Sequence, residues 1–342
     1  MREGWSYKKL GEVCDIINGK NQKMVENPNG AYPIMGSGGI MGYADDYLCL
    51  EGTTIIGRKG TINKPIYVDT KFWNVDTAFG LQPKDNNNCR FVFYLCKSID
   101  FTRYDKGVTI PSLVKSDLLQ IKVSVPPLST QQQIVEELDL LSGIIEKQKA
   151  QLKELDNLAQ SLFYDMFGDP VTNEKGWEVK KFGDVYKLKS GDGLSAKQFI
   201  EGPYPVYGGN GIAGCHNKYN KDGDCIIIGR VGLYCGNVRN VKGKFWLTDN
   251  AFLLFYDDNK QSPVFVTFLL NYLDLHQYAN HAAQPVISNL TLKDVSIIFP
   301  PLTLQRQFAE RVVSIEHQKS LIQQSLKETE TLFNSRMDYY FN

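Results

Sequence analysis

Two stretches of the chain carry apolar residues at alternating spacings of four and three. The first runs Ile134, Leu138, Leu141, Ile145, Gln148, Leu152, Leu155, Ala159, Leu162, Met166. The second runs Phe308, Val312, Ile315, Lys319, Ile322, Leu326, Thr329, Phe333, Arg336, Tyr340. This spacing draws a narrow apolar stripe along one side of a helix, the pattern of a coiled-coil seam. Each ladder follows a proline pair, Pro126-Pro127 or Pro300-Pro301, with Ser129 or Thr130 placed to cap the first helix and Thr303 the second. A helix lying on a globular domain wants a wider apolar face, so each long helix is expected to take the other as its partner. The short connection from the first helix to Trp177 makes that pair antiparallel. Gln148 and Lys319 then fall near the two midpoints, where a polar seam residue fixes register.

Between the ladders the pattern changes to short β-branched and aromatic runs cut by glycine and asparagine. Thr54–Ile56 and Cys225–Ile228 read as strands, and Phe91–Ile99 and Val264–Leu273 as helices. These regions repeat one another. Gly4-Trp5 returns as Gly176-Trp177, Tyr32-Pro33 as Tyr204-Pro205, and Ile55-Ile56-Gly57-Arg58 as Ile227-Ile228-Gly229-Arg230, all offset by 172. Phe72-Trp73 and Phe245-Trp246 are offset by 173, and the two Pro-Pro-Leu sites by 174. A drift of two residues over half the chain marks an internal duplication. The expected organisation is residues 1–127 and 169–300 as two repeated mixed α/β domains, with 128–168 and 301–342 as the helices. The fold class is α+β, with the two domains at opposite ends of an antiparallel two-helix coiled coil and a pseudo-two-fold relating them.

At 342 residues and 42% hydrophobic, the chain can bury the cores this organisation needs. Its 38 basic and 38 acidic residues give zero formal charge, which argues against a strongly basic nucleic-acid binder only if the charge is evenly spread. It is not. Residues 1–127 hold 16 basic and 13 acidic side chains and residues 171–300 hold 14 and 12, whereas residues 128–170 hold 3 and 8. Two weakly basic domains are offset by one acidic helix. No stretch reaches the ~18 apolar residues of a membrane span. Seven cysteines without a CxxC pair read as incidental thiols of a reducing, cytoplasmic compartment.

Marks of catalysis are missing from both copies. There is no phosphate-binding GxxxxGK[ST] loop, no HExxH and no metal-ligand spacing, and the histidines His216, His276, His281 and His317 are scattered. Gly209–Gly214 matches GxGxxG, but Cys215-His216-Asn217-Lys218 follows where a helix should open, so a glycine turn is the better reading. No Pro-Pro-aromatic methyltransferase loop and no nuclease carboxylate set stands out. The chain is expected to bind without catalysing, with no metal and no cofactor of its own.

What it binds is indicated by the loops. Each copy has a Gly-Arg-x-Gly turn, Gly57–Gly60 and Gly229–Gly232. Arg58, Lys59 and Arg230 there are suited to guanine edges and phosphates, the alternative being a turn with a solvated arginine. Flanking loops add Lys20, Gln22 and Lys23 in the first copy and Asn210, Asn217 and Lys218 in the second. Late loops add Lys106 and Thr109, then His281 and Gln284. Trp5, Trp177, Trp73 and Trp246 read as core. The framework repeats while these loops do not, as expected of two related modules with different targets.

This organisation resembles the specificity subunit of Type I restriction–modification systems over essentially the full chain. The resemblance rests on Pro-Pro-Leu followed by Gln131-Gln132-Gln133-Ile134, on Pro-Pro-Leu followed by Gln305-Arg306-Gln307-Phe308, and on the junction Phe163-Tyr164-Asp165-Met166-Phe167-Gly168-Asp169-Pro170 before Gly176-Trp177. It implies two target recognition domains, each reading half of a split, asymmetric site in double-stranded DNA. It also implies helices that act as spacer ruler and as platform for two methyltransferase subunits. Those partners would use S-adenosylmethionine, and any restriction subunits ATP with Mg2+. About 36 helical residues give a rod of ~54 Å, roughly 15 base pairs. The alternatives are the specificity subunit of another multisubunit system, a stand-alone methyltransferase or nuclease, and a coiled-coil adaptor for proteins.

Overall fold

The computed structural model describes residues 4–84, 86–280 and 284–342. The chain forms two compact units, Met1–Lys149 with Gln324–Asn342, and Ala150–Gln323.

In the first unit a four-stranded antiparallel sheet has the order Cys14–Asn18, Ala78–Pro83, Thr53–Gly57, Ile66–Val68. Thr53–Gly57 is buried along its whole length, which is why its β-branched residues run without alternation. A second sheet has the order Gly39–Ala44, Tyr32–Gly36, Trp73–Asn74, with an antiparallel hairpin and one parallel pairing. Ser6–Lys9 pairs with Lys122–Val125. The helix Cys89–Ser98 packs its apolar face, Phe91, Val92, Tyr94 and Leu95, into the core.

The second unit repeats this plan. Its four-stranded sheet has the order Lys187–Ser190, Ala251–Phe255, Asp224–Gly229, Val238–Lys242, and its three-stranded sheet Gly211–His216, Tyr204–Gly208, Trp246–Leu247. Val179–Lys181 pairs with Ser296–Ile298, and the helix Pro263–Tyr272 takes the place of Cys89–Ser98. Even the irregularities recur. The two hairpins shift register at Ile34/Met35 and at Val206/Tyr207.

The long helices are Leu128–Phe167 and Leu302–Phe341, 40 residues each. Both begin at the leucine directly after the proline pair, so Ser129, Thr130 and Thr303 lie inside the first turn and none occupies the capping position expected for it. A glutamine one turn in does the joining instead. Gln131, fully buried, donates its amide to the Pro126 carbonyl at 3.0 Å and accepts the Asn88 N–H at 2.8 Å. Gln305 donates to the Pro300 carbonyl at 2.8 Å and accepts the Ser262 N–H at 2.9 Å. Asn88 and Ser262 open the helices Cys89–Ser98 and Pro263–Tyr272. In each unit, therefore, one buried amide ties the start of the long helix to the start of the domain helix. It satisfies polar groups that would otherwise be buried without partners.

Within each unit the helical segments pair antiparallel. In the first, Glu137 meets Arg336 and Tyr340, Lys149 meets Glu330 at 3.2 Å, and Gln148 donates to the Ser325 hydroxyl at 2.9 Å. In the second, Lys319 pairs with Asp156 at 2.7 Å, and Phe308 packs on Phe163 and Phe167. Ile134, Leu138, Leu141, Ile145, Phe308, Val312 and Ile315 are buried, and Leu152, Leu155, Ile322, Leu326 and Phe333 half-buried. One expectation is corrected here. The helices do not choose a helical partner over a domain. Ile134, Val135 and Leu138 join the core of the first unit, and Phe163, Phe167, Phe308 and Val312 that of the second. Val135, Phe163 and Phe167 stand off the ladder and widen the apolar stripe where a domain must be covered as well.

Candidate nucleic-acid interface

The two Gly-Arg-x-Gly turns follow the central strands Thr53–Gly57 and Asp224–Gly229. Their first glycine is required by the chain's own backbone. A Cβ on Gly57 would lie 2.1 Å from the Thr61 carbonyl oxygen, and one on Gly229 2.4 Å from that of Gly209. Their last, Gly60 at φ +79° and Gly232 at φ +89°, takes the left-handed conformation that side chains resist.

Between the glycines the arginine is held from three sides. The Arg58 N–H donates to the Thr77 carbonyl and its own carbonyl accepts from Leu113, both at 2.8 Å. Arg230 does the same with Asn250 at 2.9 Å and Ile287 at 3.0 Å. The Arg58 guanidinium lies 5.7 Å from the Phe79 ring and donates to the Asp76 carbonyl at 3.5 Å. That of Arg230 lies 5.4 Å from Phe252 and donates to the Asp249 carbonyl at 3.3 Å and the Ser190 hydroxyl at 3.4 Å. A planar cation resting on an aromatic face with few of its five donors engaged is pre-positioned for a bidentate partner.

Other expected residues converge on these turns. In the first unit Lys59 bridges to Ser112, Gly60 donates to the Pro111 carbonyl at 2.9 Å, and Lys106 donates its N–H to the Ser112 carbonyl at 2.9 Å, so Arg58, Lys59, Lys106 and Thr109 belong to one surface. The Lys106 ammonium is 3.6 Å from Asp117. In the second unit Gly232 donates to the Pro285 carbonyl at 2.9 Å, which brings the exposed Gln284 beside the turn. The hairpin turn carrying Asn210 packs there too, since Gly209 lies against the Val231 and Asn250 carbonyls. Gly209–Gly214 is thus a turn and a strand, with no helix to hold a dinucleotide.

Other residues stand apart. Asn217 and Lys218, both exposed, follow the opposite end of that hairpin, beside Gly202. Gln22 and Lys23 lie in a loop running against Tyr43–Asp45, at the far end of the first hairpin from its turn. His281 lies outside the described residues. Arg239 is a residue that sequence reasoning misses. It reaches the Asn210 carbonyl at 3.5 Å from the strand Val238–Lys242, where nothing in the local pattern distinguishes it.

Lys20 occupies a slot that is built twice. Its N–H donates to the Asn74 carbonyl at 2.9 Å and its carbonyl accepts the Trp73 indole N–H at 3.0 Å. In the second unit Asp192 donates to the Leu247 carbonyl at 3.0 Å and accepts the Trp246 indole at 3.2 Å. The tryptophans act as scaffold, and one backbone slot presents a cation in one copy and an anion in the other.

With this geometry in view, the model of the Type I restriction modification DNA specificity domain matches residues 2–156 and again residues 174–331. The chain belongs to this family. Each half of the repeat carries one recognition domain of a type I specificity subunit. The chain is 27% identical over 285 residues to the specificity subunit of the type I restriction enzyme EcoprrI of Escherichia coli, covering 77% of this chain and 69% of that one. It is 22% identical over 385 residues to the MjaVIII specificity subunit of Methanocaldococcus jannaschii, covering 96% and 89%. The crystal structure of a Type I restriction–modification S subunit from M. genitalium has the same fold, with a TM-score of 0.72 at 18% identity over 99% of this chain and 96% of that one. Among the described residues no cluster of His, Cys, Asp and Glu is arranged to hold a metal ion, and no helix is long and apolar enough to cross a membrane.

Proposed function

We propose that this subunit reads a split, asymmetric site in double-stranded DNA in the cytoplasm, one half with each recognition domain, and performs no chemistry itself. Two methyltransferase subunits dock on the long helices and bring S-adenosylmethionine. Restriction subunits, where present, bring ATP and Mg2+. Arg58 and Arg230 contact guanine edges or phosphates, and the loops around them set which bases follow. The observation that carries this reading is the repeated arginine turn. Its backbone and aromatic support are the same in both copies, while the neighbouring slot holds Lys20 in one and Asp192 in the other. Lysine suits phosphate or guanine, and aspartate suits the cytosine amino group.

The test is co-expression with the cognate methyltransferase subunit, followed by mapping of methylated sites across the genome. Arg58→Ala should relax or weaken one half-site, and Arg230→Ala the other, each by about 5- to 150-fold. A single contiguous site, or two variants acting on the same half, would sink the proposal. The purified chain given S-adenosylmethionine and DNA should leave the DNA unmethylated. An adaptor for proteins would show no salt-dependent DNA binding, whereas a DNA reader loses affinity steeply as salt rises.

A further inference from the structure

The loop beside the first arginine turn combines two features that rarely occur together, a fixed backbone and exposed aliphatic side chains. Asp105 accepts the N–H groups of Gly107 and Ser112 through one carboxylate oxygen, both at 2.7 Å. Those two bonds hold its carboxyl below the usual aspartate range. Gly107 is pressed so closely onto the Ile110 carbonyl that a Cβ would lie 1.9 Å from the oxygen. The far strand of the loop is sewn to the arginine turn through Lys59, Gly60 and Arg58. From this rigid frame Val108 projects fully exposed and Ile110 60% exposed, flanking Thr109. Neither belongs to a core cluster, and the segments carrying Arg58, Lys59 and Lys106 are hydrogen-bonded to this loop through Ser112, Pro111 and Leu113.

Two stiff aliphatic side chains on a preorganised loop sewn to an arginine turn match one apolar feature of duplex DNA. In the major groove the 5-methyl group of thymine is the apolar mark on a base edge, and it adjoins the acceptors that arginine and lysine read. We propose that Val108 and Ile110 are specificity-determining residues that pack on thymine methyl groups in the half-site read by the first recognition domain. This rests on the DNA-reading function proposed above. A fixed loop loses little entropy on docking, so burial of a methyl group is retained as affinity.

The experiment uses the complete complex of this chain with its methyltransferase subunits. Once its sites are mapped, duplexes are made in which each thymine of the first half-site is replaced in turn by uracil, which lacks only the methyl group. At least one replacement should weaken binding, by about fourfold for each buried methyl group removed. Against Val108→Ser/Ile110→Ser that replacement should have no further effect, while affinity for nonspecific duplex and for the second half-site stays unchanged. Three results overturn the inference: a first half-site without thymine, uracil replacements without effect on the native complex, or a double variant that still distinguishes thymine from uracil. If the complex still methylates a split site that responds to Arg58→Ala, the DNA-reading function survives the loss of this inference. If the complex methylates no split site, the function itself fails.

Discussion

The two units attach their long helices to a recognition domain with opposite chemistry. In the first, Arg90 of the domain helix meets Asp139 of the long helix at 2.6 Å, and the Tyr94 hydroxyl donates to the same carboxylate at 2.6 Å. At an offset of 174 these three residues become Val264, Val313 and Phe268. There the joint is aromatic. Phe163 is buried among Phe167, Phe265, Phe268, Tyr272 and Phe308, with ring centroids 5.1 to 6.3 Å away. Beneath this difference the glutamine tether and a tilted end-of-helix ring contact persist, Phe341 on Phe91 in one unit and Phe167 on Phe265 in the other. The duplicated scaffold therefore preserves backbone satisfaction strictly. It lets the packing surface drift between polar and apolar solutions of similar shape.

The comparison would break most visibly at Phe163. Phe163→Ala should destabilise the second unit by about 3–5 kcal/mol, since the rings around it cannot all collapse into the space. Hydrogen exchange resolved by unit should show the loss there, with the first unit unchanged. Next come the shared tethers. Gln131→Ala and Gln305→Ala each strand a buried carbonyl and the N–H that opens a domain helix, so each should cost about 2 kcal/mol in its own unit. Equal losses would confirm that the tether is the invariant part of the joint, and a loss in one unit only would refute it.

The duplication and the helices were legible in the sequence because both are periodicities, one of 172 to 174 residues and one of three and four. The capping serines and threonines misled because the usual cap rule places a hydroxyl ahead of the helix. Here the prolines already fill that position, and a side chain from inside the first turn folds back instead. Gln131 and Gln305 left a trace, standing at the same offset in both copies. A polar residue in a first turn nevertheless looks like surface until its burial is known. The slot shared by Lys20 and Asp192 was hidden for another reason. Its partner is an indole more than 50 residues away, and the antiparallel pairing of Cys14–Asn18 with Ala78–Pro83, repeated in the second unit as Lys187–Ser190 with Ala251–Phe255, brings the two together.

The polar joint is the more exposed of the two, and its expected effects are smaller. Arg90 and Asp139 side chains are 38% and 32% exposed, so solvent screens the pair, and Asp139→Ala should cost about 1 kcal/mol. The loss should shrink as salt is raised, whereas the loss from Phe163→Ala should not, which separates the two kinds of joint in one salt series.

The finest distinction is in pH. Glu137 accepts two bonds from the Arg336 guanidinium and one from the Tyr340 hydroxyl, and these, the arginine first, hold its carboxyl below the ordinary glutamate range. A carboxylate whose folded pKa is depressed adds stability above its unfolded value, about 4.3, and that stability is lost as pH falls through the folded value. The positions at the same offset in the second unit are Arg311 and Leu162, which form no such pair. Acidification from pH 5 to pH 3 should therefore loosen the helix pairing of the first unit through a step that Glu137→Gln removes. Hydrogen exchange over Glu137 and Arg336, compared with Leu162 and Arg311, reads it directly. A step that survives Glu137→Gln would refute Glu137 as its source.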